Sequence, residues 1–272
     1  MRISLLRVLT LSWLLLAWAG GLRGQAGLVA HWKFDEANGT TASDFTGNFD
    51  GTLGGGATFV GGGISGNALS LDGLTGSLVN MGTSIAGFTT GDFSLVAWIK
   101  TTTTAGASVI AGKHEAGTAN GFFLSLNNSS GYGLANKAFF YDSMNAGGEA
   151  ISTTTVNDGA WHQIVGVLTA GSSLELYVDG FLEGTKAGPT TVGNAAPFLI
   201  GGVDMSGTPT ALFAGLIDDV QLYEVALNSS EILTLFNNPG QSLAIPEPAI
   251  SAAIAGLGIL FFGLYRRKIR RG

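Results

Sequence analysis

Leu174-Glu175-Leu176-Tyr177-Val178-Asp179-Gly180-Phe181-Leu182-Glu183 is the stretch that decides the fold class. Leu174, Leu176 and Val178 alternate with Glu175 and Tyr177, the period of a strand with one buried face. Asp179-Gly180 then joins this strand to the next apolar run, and Asp-Gly between two strand patterns marks a two-residue hairpin. Similar short runs recur on both sides, separated by Gly, Asn, Asp, Ser and Thr clusters. They predict strands at Leu28–Phe34, Ala68–Leu71, Phe93–Lys100, Ser108–Lys113, Phe122–Leu126, Ala138–Tyr141, Trp161–Leu168, Phe198–Ile200 and Leu216–Tyr223. One helix is signalled. Asn228 caps it, Glu231 reaches back as in a capping box, and Asn237-Asn238-Pro239-Gly240 stops it. About ten strands and one short helix predict an all-β, two-sheet antiparallel jellyroll sandwich.

The two ends read differently from this core. Residues 1–24 carry Arg2 and Arg7, then an apolar run from Val8 to Ala19, then Gly20, Gly21 and Gly24. That order is expected of a secretory signal peptide cleaved after Gly24 or Ala26. At the other end, residues 240–248 form a linker containing Pro246-Glu247-Pro248. Residues 249–265 are an apolar run, and 266–272 a basic cluster opening with Arg266 and Arg267. Seventeen apolar residues make a helix of about 25 Å, the short end of a membrane span. The basic cluster is expected to stay cytoplasmic. The domain proper is then 25–239.

Removing the ends changes the charge. Of 13 basic residues, Arg2, Arg7 and Arg23 lie in the leader and five in the tail, which leaves five lysines. Of 19 acidic residues only Glu247 falls in the tail, so the domain carries a net charge near −13. Such a surface repels phosphate backbones and excludes nucleic acid as a partner. With no cysteine, stability rests on the apolar core rather than on disulfides. The 43 glycines show no three-residue period, which excludes collagen and favours many tight turns.

Signatures of catalysis are missing. The paired carboxylates of a Glu-x-Asp-x-x-Glu strand do not occur. There is no Gly-x-Ser-x-Gly, and His31, His114 and His162 have no metal-ligand spacing. Gly54-Gly55-Gly56 and Gly61-Gly62-Gly63 read as turns, since no lysine and no helix follows them. Sugar binding would call for exposed rings. Tyr132, Phe139, Phe140 and Tyr141 are the candidates, with packing inside the sandwich as the rival reading.

Several of these stretches together resemble the laminin-G-like, concanavalin A-like jellyroll domains: Asp92-Phe93-Ser94-Leu95-Val96-Ala97-Trp98-Ile99-Lys100, Asp158-Gly159-Ala160-Trp161-His162, Leu176-Tyr177-Val178-Asp179-Gly180, Phe198-Leu199-Ile200-Gly201 and Gly215-Leu216-Ile217-Asp218-Asp219-Val220-Gln221-Leu222-Tyr223. Trp32-Lys33-Phe34-Asp35-Glu36 also fits. The resemblance implies that Trp32, Trp98 and Trp161 pack inside, and that the first strand pairs antiparallel with the last. Asp35 is then expected near Asp218, with Asp44 close enough to join. Asp218 is expected to share the apolar side of its strand with Leu216, Val220 and Leu222. A charge so placed is costly unless it is paired. Two readings stay open: a calcium ion held by Asp35, Asp44 and Asp218, or an Asp218 that accepts backbone N–H bonds at a bulge. The tail resembles the PEP-CTERM sorting signal. It implies an exosortase-like processing peptidase and a place on the cell surface or in the extracellular matrix of a Gram-negative bacterium, after transient anchoring in the inner membrane. The expected function is a non-catalytic binding or adhesion module for polysaccharide or envelope components. The alternatives are a glycan-active enzyme and a permanently anchored periplasmic domain.

Overall fold

The computed structural model describes residues 27–85, 91–104, 106–115, 120–127, 135–142, 149–188, 194–204 and 208–243. The signal peptide, the Pro-Glu-Pro motif with Arg266 and Arg267, the apolar tail and Tyr132 lie outside these residues. Among the described residues no helix is long and apolar enough to cross a membrane.

Eighteen strands and one helix make up the described chain. In order they are β1 (Leu28–Trp32), β2 (Thr41–Ala42), β3 (Gly51–Gly54), β4 (Thr58–Gly61), β5 (Asn67–Asp72), β6 (Leu78–Asn80), β7 (Phe93–Lys100), β8 (Ser108–Glu115) and β9 (Asn120–Asn127). There follow β10 (Lys137–Asp142), β11 (Glu149–Thr155), β12 (Trp161–Thr169), β13 (Ser173–Val178), β14 (Phe181–Ala187), β15 (Leu199–Ile200), β16 (Val203–Asp204), β17 (Pro209–Thr210), β18 (Ala214–Tyr223) and α1 (Ser229–Asn237). The first sheet runs β14-β13-β12-β7-β18-β5-β4, with β1 also paired to β18. The second runs β11-β10-β9-β8-β15-β6-β3-β2. All pairings are antiparallel, giving a jellyroll-like sandwich, and β16 and β17 form a separate ribbon.

The hairpin that opened the reading is present. Val178 faces Phe181 across the turn, and Asp179 and Gly180 both have positive φ, 51° and 84°, as the favoured two-residue turn requires. Leu174, Leu176 and Val178 join the core between the sheets, with Phe93, Ile99, Phe122, Phe140 and Trp32. Phe93 meets Phe122 at a ring-centroid distance of 4.4 Å, and Trp32 stacks on Phe198 at 5.9 Å. Gly166 in β12 leaves the room Phe140 fills: a Cβ there would lie 2.6 Å from the ring.

The outer face of the first sheet is apolar too. Val96, Val165, Val167, Tyr177 and Tyr223 pack against Ile232 and Leu235 of α1. The capping box forms, with Asn228 accepting from the Glu231 N–H and Glu231 accepting from the Asn228 N–H. Phe236 stacks on Trp98 at 5.5 Å with the planes 12° apart. Trp98 therefore lies beneath the helix rather than between the sheets. Trp161 has the parity of Val165 and Val167 and is half-buried on that same outer face. Only Trp32 of the three tryptophans packs inside as expected.

Candidate functional site

The three expected metal ligands are not brought into one cluster. β18 is broken at a bulge: Asp218 faces Trp98 on β7, pairing resumes only at Gln221 opposite Val96, and Asp219 has φ 49°. The extra residue flips the parity. Ile217, Val220 and Leu222 point into the core, while Asp218 points outward with Leu216, which corrects the expected common face. Asp218 is almost fully buried. Its Oδ1 accepts from the Asp219 N–H at 2.7 Å and its Oδ2 from the Ser65 N–H at 3.2 Å. Burial pushes its carboxyl up to about 7 against those bonds, and the neighbouring Asp219 adds to the rise.

Exposed Asp35 leans on the same loop, accepting from the Asn67 N–H at 3.0 Å. Glycines make both approaches possible: a Cβ on Gly63 would lie 2.6 Å from Asp218 Oδ2, and one on Gly66 only 2.0 Å from Asp35 Oδ1. Asp44 belongs elsewhere. It organises its own turn, accepting from the N–H groups of His31, Thr46, Asn48 and Phe49 and from the Thr46 hydroxyl. Burial raises that carboxyl, but these bonds outweigh it and hold the pKa below the ordinary value. Among the described residues no group of three or more histidines and acids is placed to hold a metal ion.

Asp219, which the sequence did not single out, proves to be a structural acid. Its Oδ1 meets His31 Nε2 at 2.5 Å and accepts from Gln221 at 3.0 Å, and its Oδ2 accepts from the Gly240 N–H at 2.8 Å. His162 is likewise tied down, to Asp179 at 2.8 Å and Asp158 at 3.2 Å.

The outer face of the second sheet has a different character. Strand register lines up Thr52, Asn80, Leu199, Gly112, Phe123, Tyr141 and Glu149 across seven neighbouring strands. At about 4.8 Å per strand this row is about 29 Å long, with Leu199, Gly112 and Phe123 in its middle buried and Val203 of β16 packed in one cluster with Phe123. One end opens on a cavity of about 560 Å³ lined by Asp50, Thr52 and Asn80 together with Leu53, Leu78 and Met81. Towards the other end the rings of Phe123 and Tyr141 stack at 4.7 Å, 26° apart. Phe139 meets Phe123 edge-on at 5.9 Å, and His114 lies 5.9 Å from Tyr141. Tyr141 is half-buried, whereas Phe123 and Phe139 are buried behind it. Burial holds the His114 imidazole below its ordinary pKa, and its Nδ1 has no hydrogen-bond partner among the described residues. Burial raises the Glu149 carboxyl, and Lys186 only partly offsets this. Of the four aromatics proposed from sequence, Phe139 and Tyr141 lie on this face and Phe140 is in the core. Phe123 and His114 were missed. The adjacent pair Phe122-Phe123 was the available signal, since neighbours in a strand point to opposite faces.

Residues 73–233 match the family model of the concanavalin A-like lectin/glucanases superfamily, of laminin-G type. The chain belongs to this superfamily. Among solved structures, domain 4 of AbnA, a GH43 extracellular arabinanase from Geobacillus stearothermophilus, in complex with arabinotriose, superposes with a TM-score of 0.59 at 23% identity, covering 78% of this chain and 98% of that domain. The binding domain of Paraclostridial mosquitocidal protein 1 gives 0.60 at 16% identity, covering 78% of this chain and 52% of that one. Trypanosoma rangeli sialidase gives 0.57 at 24%, covering 77% of this chain but 32% of that one. At these identities the likeness is one of fold. A comparison with curated protein sequences gives no match.

Proposed function

We propose that the superfamily member described here is an exported, non-catalytic module that binds extracellular polysaccharide on the outer face of its second sheet. The observation that carries this reading is the Phe123–Tyr141 stack beside His114, set in a row that ends in a cavity to which Asp50, Thr52 and Asn80 contribute polar groups. Aromatic faces stack on apolar sugar faces, and hydroxyl and amide groups such as Thr52 and Asn80 hydrogen-bond sugar hydroxyls. The arabinotriose bound to the AbnA domain supports the substrate class. A glycan array with the purified chain is the test. A polysaccharide ligand whose affinity falls about tenfold in Tyr141→Ala is expected, in line with about 1–3 kcal/mol for a stacked ring. Full retention of binding by that variant would move the ligand off this face.

A glycan-active enzyme is the second reading, favoured by Glu149, whose raised carboxyl adjoins Tyr141. Glycan hydrolysis abolished in Glu149→Gln would establish it over the first. Export, and sorting through Pro246-Glu247-Pro248 by an exosortase-like peptidase, are part of the proposal. Mass spectrometry of surface material is expected to find chains ending near Pro248, and intact chains retained in the inner membrane would favour the permanent anchor. A calcium ion between Asp35 and Asp218 is proposed as a stabiliser. What supports it is that both carboxylates face one loop and that Asp218 is costly as a buried anion, a cost a cation would relieve.

A further inference from the structure

We propose that the end of the first sheet carries a second carbohydrate site, selective for an acidic sugar, in which Trp161 is the stacking platform and Lys100 the carboxylate partner. This site lies on the other sheet from the ligand face proposed above and uses none of its residues.

The lysines of the domain point there. Lys113 is buried, with its ammonium donating to the carbonyls of Thr83 and Ile85. Lys137 donates to Thr153, Lys33 sits over the Phe45 ring, and Lys186 faces Glu149. Lys100 alone, among the described lysines, has neither a hydrogen bond, an ion pair, a ring contact nor an electrostatic partner among the described residues. It is nevertheless half-buried, in a domain with an excess of acids. A lysine of this kind lays its methylene stem on apolar surface and keeps its ammonium in water, where it is free to meet an anionic ligand.

Its surroundings suit a sugar. Register places Lys100 between Leu216 on β18 and Trp161 on β12, all three on the outer face. The Trp161 ring is half-buried on that face, where α1 already covers Trp98 through Phe236. A cavity of about 510 Å³ opens at this end of the sheet, lined by Lys100, Thr101, Thr102, Thr103, Gly159 and Leu216 among others, with Trp161 flanking Lys100 on the neighbouring strand rather than lining the cavity. The Thr101 hydroxyl is committed to the Ala214 carbonyl, and Thr102 is exposed. The nearest acid in sequence to the Gly159 wall, Asp158, is engaged by the Ala160 N–H and His162 and does not compete for Lys100. A volume of this size takes a hexose ring or two, a ring face is needed to use Trp161, and a carboxylate is needed to answer Lys100. A uronate residue in a polysaccharide meets all three requirements, whereas a small inorganic anion uses only the lysine.

The test is calorimetric titration of the full chain with trimers of galacturonate, glucuronate and mannuronate, beside a neutral trisaccharide of equal length and free acetate. Saturable binding of at least one uronate trimer is expected, at least tenfold tighter than the neutral sugar and acetate. Lys100→Met and Trp161→Leu should each weaken it about tenfold, and Tyr141→Ala should leave it unchanged. Equal binding of the neutral trisaccharide, an unaffected Lys100→Met, or no saturable uronate binding at millimolar concentration overturns the proposal. Loss of uronate binding in Tyr141→Ala would also overturn it, placing the acidic sugar on the second sheet instead.

Discussion

Replacing Asp218 by Asn should change how the stability of the domain depends on pH, and the size of the change follows from where the carboxyl sits. Asp218 is 1% exposed and its pKa is raised from 3.8 to about 7, mainly by burial. The folded chain thus holds this proton more tightly than the unfolded chain does. Its contribution to stability is fully present below the unfolded value and is lost as pH rises through about 7. At 1.36 kcal/mol per pH unit the whole span is about 4 kcal/mol, of which about 2.5 kcal/mol falls between pH 5 and 8. The Asp218→Asn protein lacks this titration. It also has one oxygen where the wild type has two, so either the Ser65 or the Asp219 N–H loses its acceptor, at a cost of about 1–3 kcal/mol. The stability of the variant relative to wild type should therefore rise by about 2.5 kcal/mol between pH 5 and pH 8. His162, raised by its bond to Asp179, and His114, lowered by burial, are present in both proteins, so the difference between the two curves cancels them. Urea unfolding followed by tryptophan emission at pH 5, 6, 7 and 8, with chelator present throughout, gives the two curves. Parallel curves, with a gap constant to about 0.5 kcal/mol, would refute the claim that Asp218 is a costly buried anion at neutral pH.

Three further outcomes are expected. Gly166→Ala pushes a Cβ into the Phe140 ring, so a loss of about 1–3 kcal/mol should appear in the urea midpoint; a loss too small to measure means the two sheets can separate locally. Asn228→Ala removes the acceptor for the Ser230 and Glu231 N–H groups and should cost about 1 kcal/mol in the same assay. Calcium at a hundredfold excess over its Kd would add about 2.7 kcal/mol and raise the melting temperature of wild type but not of Asp218→Asn. An unchanged melting temperature with calcium or chelator ends the calcium proposal.

The sequence was most legible where a strand is apolar on one side only. Leu174 to Val178 and its Asp179-Gly180 turn show this, because alternation and turn chemistry are both local. The capping box at Asn228 and Glu231 was legible for the same reason. The two-residue strands Thr41–Ala42, Val203–Asp204 and Pro209–Thr210 were not delimited, since two residues carry no period. Glu149–Thr155 was missed because its residues are mostly polar and its place is set by pairing with β10. The bulge at Asp218 and Asp219 has no sequence mark. Its effect, which is to turn Val220 inward and Asp218 outward, is a matter of register with β7 and not of residue type.

The faces of β7 and β12 were illegible for a more general reason, and the same reason bears on where ligands go. Both strands are apolar on two sides: Ile99 and Ile164 meet the second sheet, while Val96 and Val165 meet α1. A strand covered twice has no polar side from which inside and outside can be read. The tryptophans of these strands then look like core residues, although Trp98 and Trp161 face outward. What separates them is the reach of the helix. Phe236 covers Trp98, and Trp161, next to unpartnered Lys100, remains half-buried beside an open cavity. Among the described residues no helix lies on the second sheet, and there Tyr141 and Thr52 mark the outer face plainly once register is known. If both proposed sites bind, access to each is governed by what covers its sheet: on the second sheet Tyr141 and Thr52 stand clear of the buried Leu199, Phe123 and Phe139 between and behind them, and on the first only the short stretch that α1 leaves free is open.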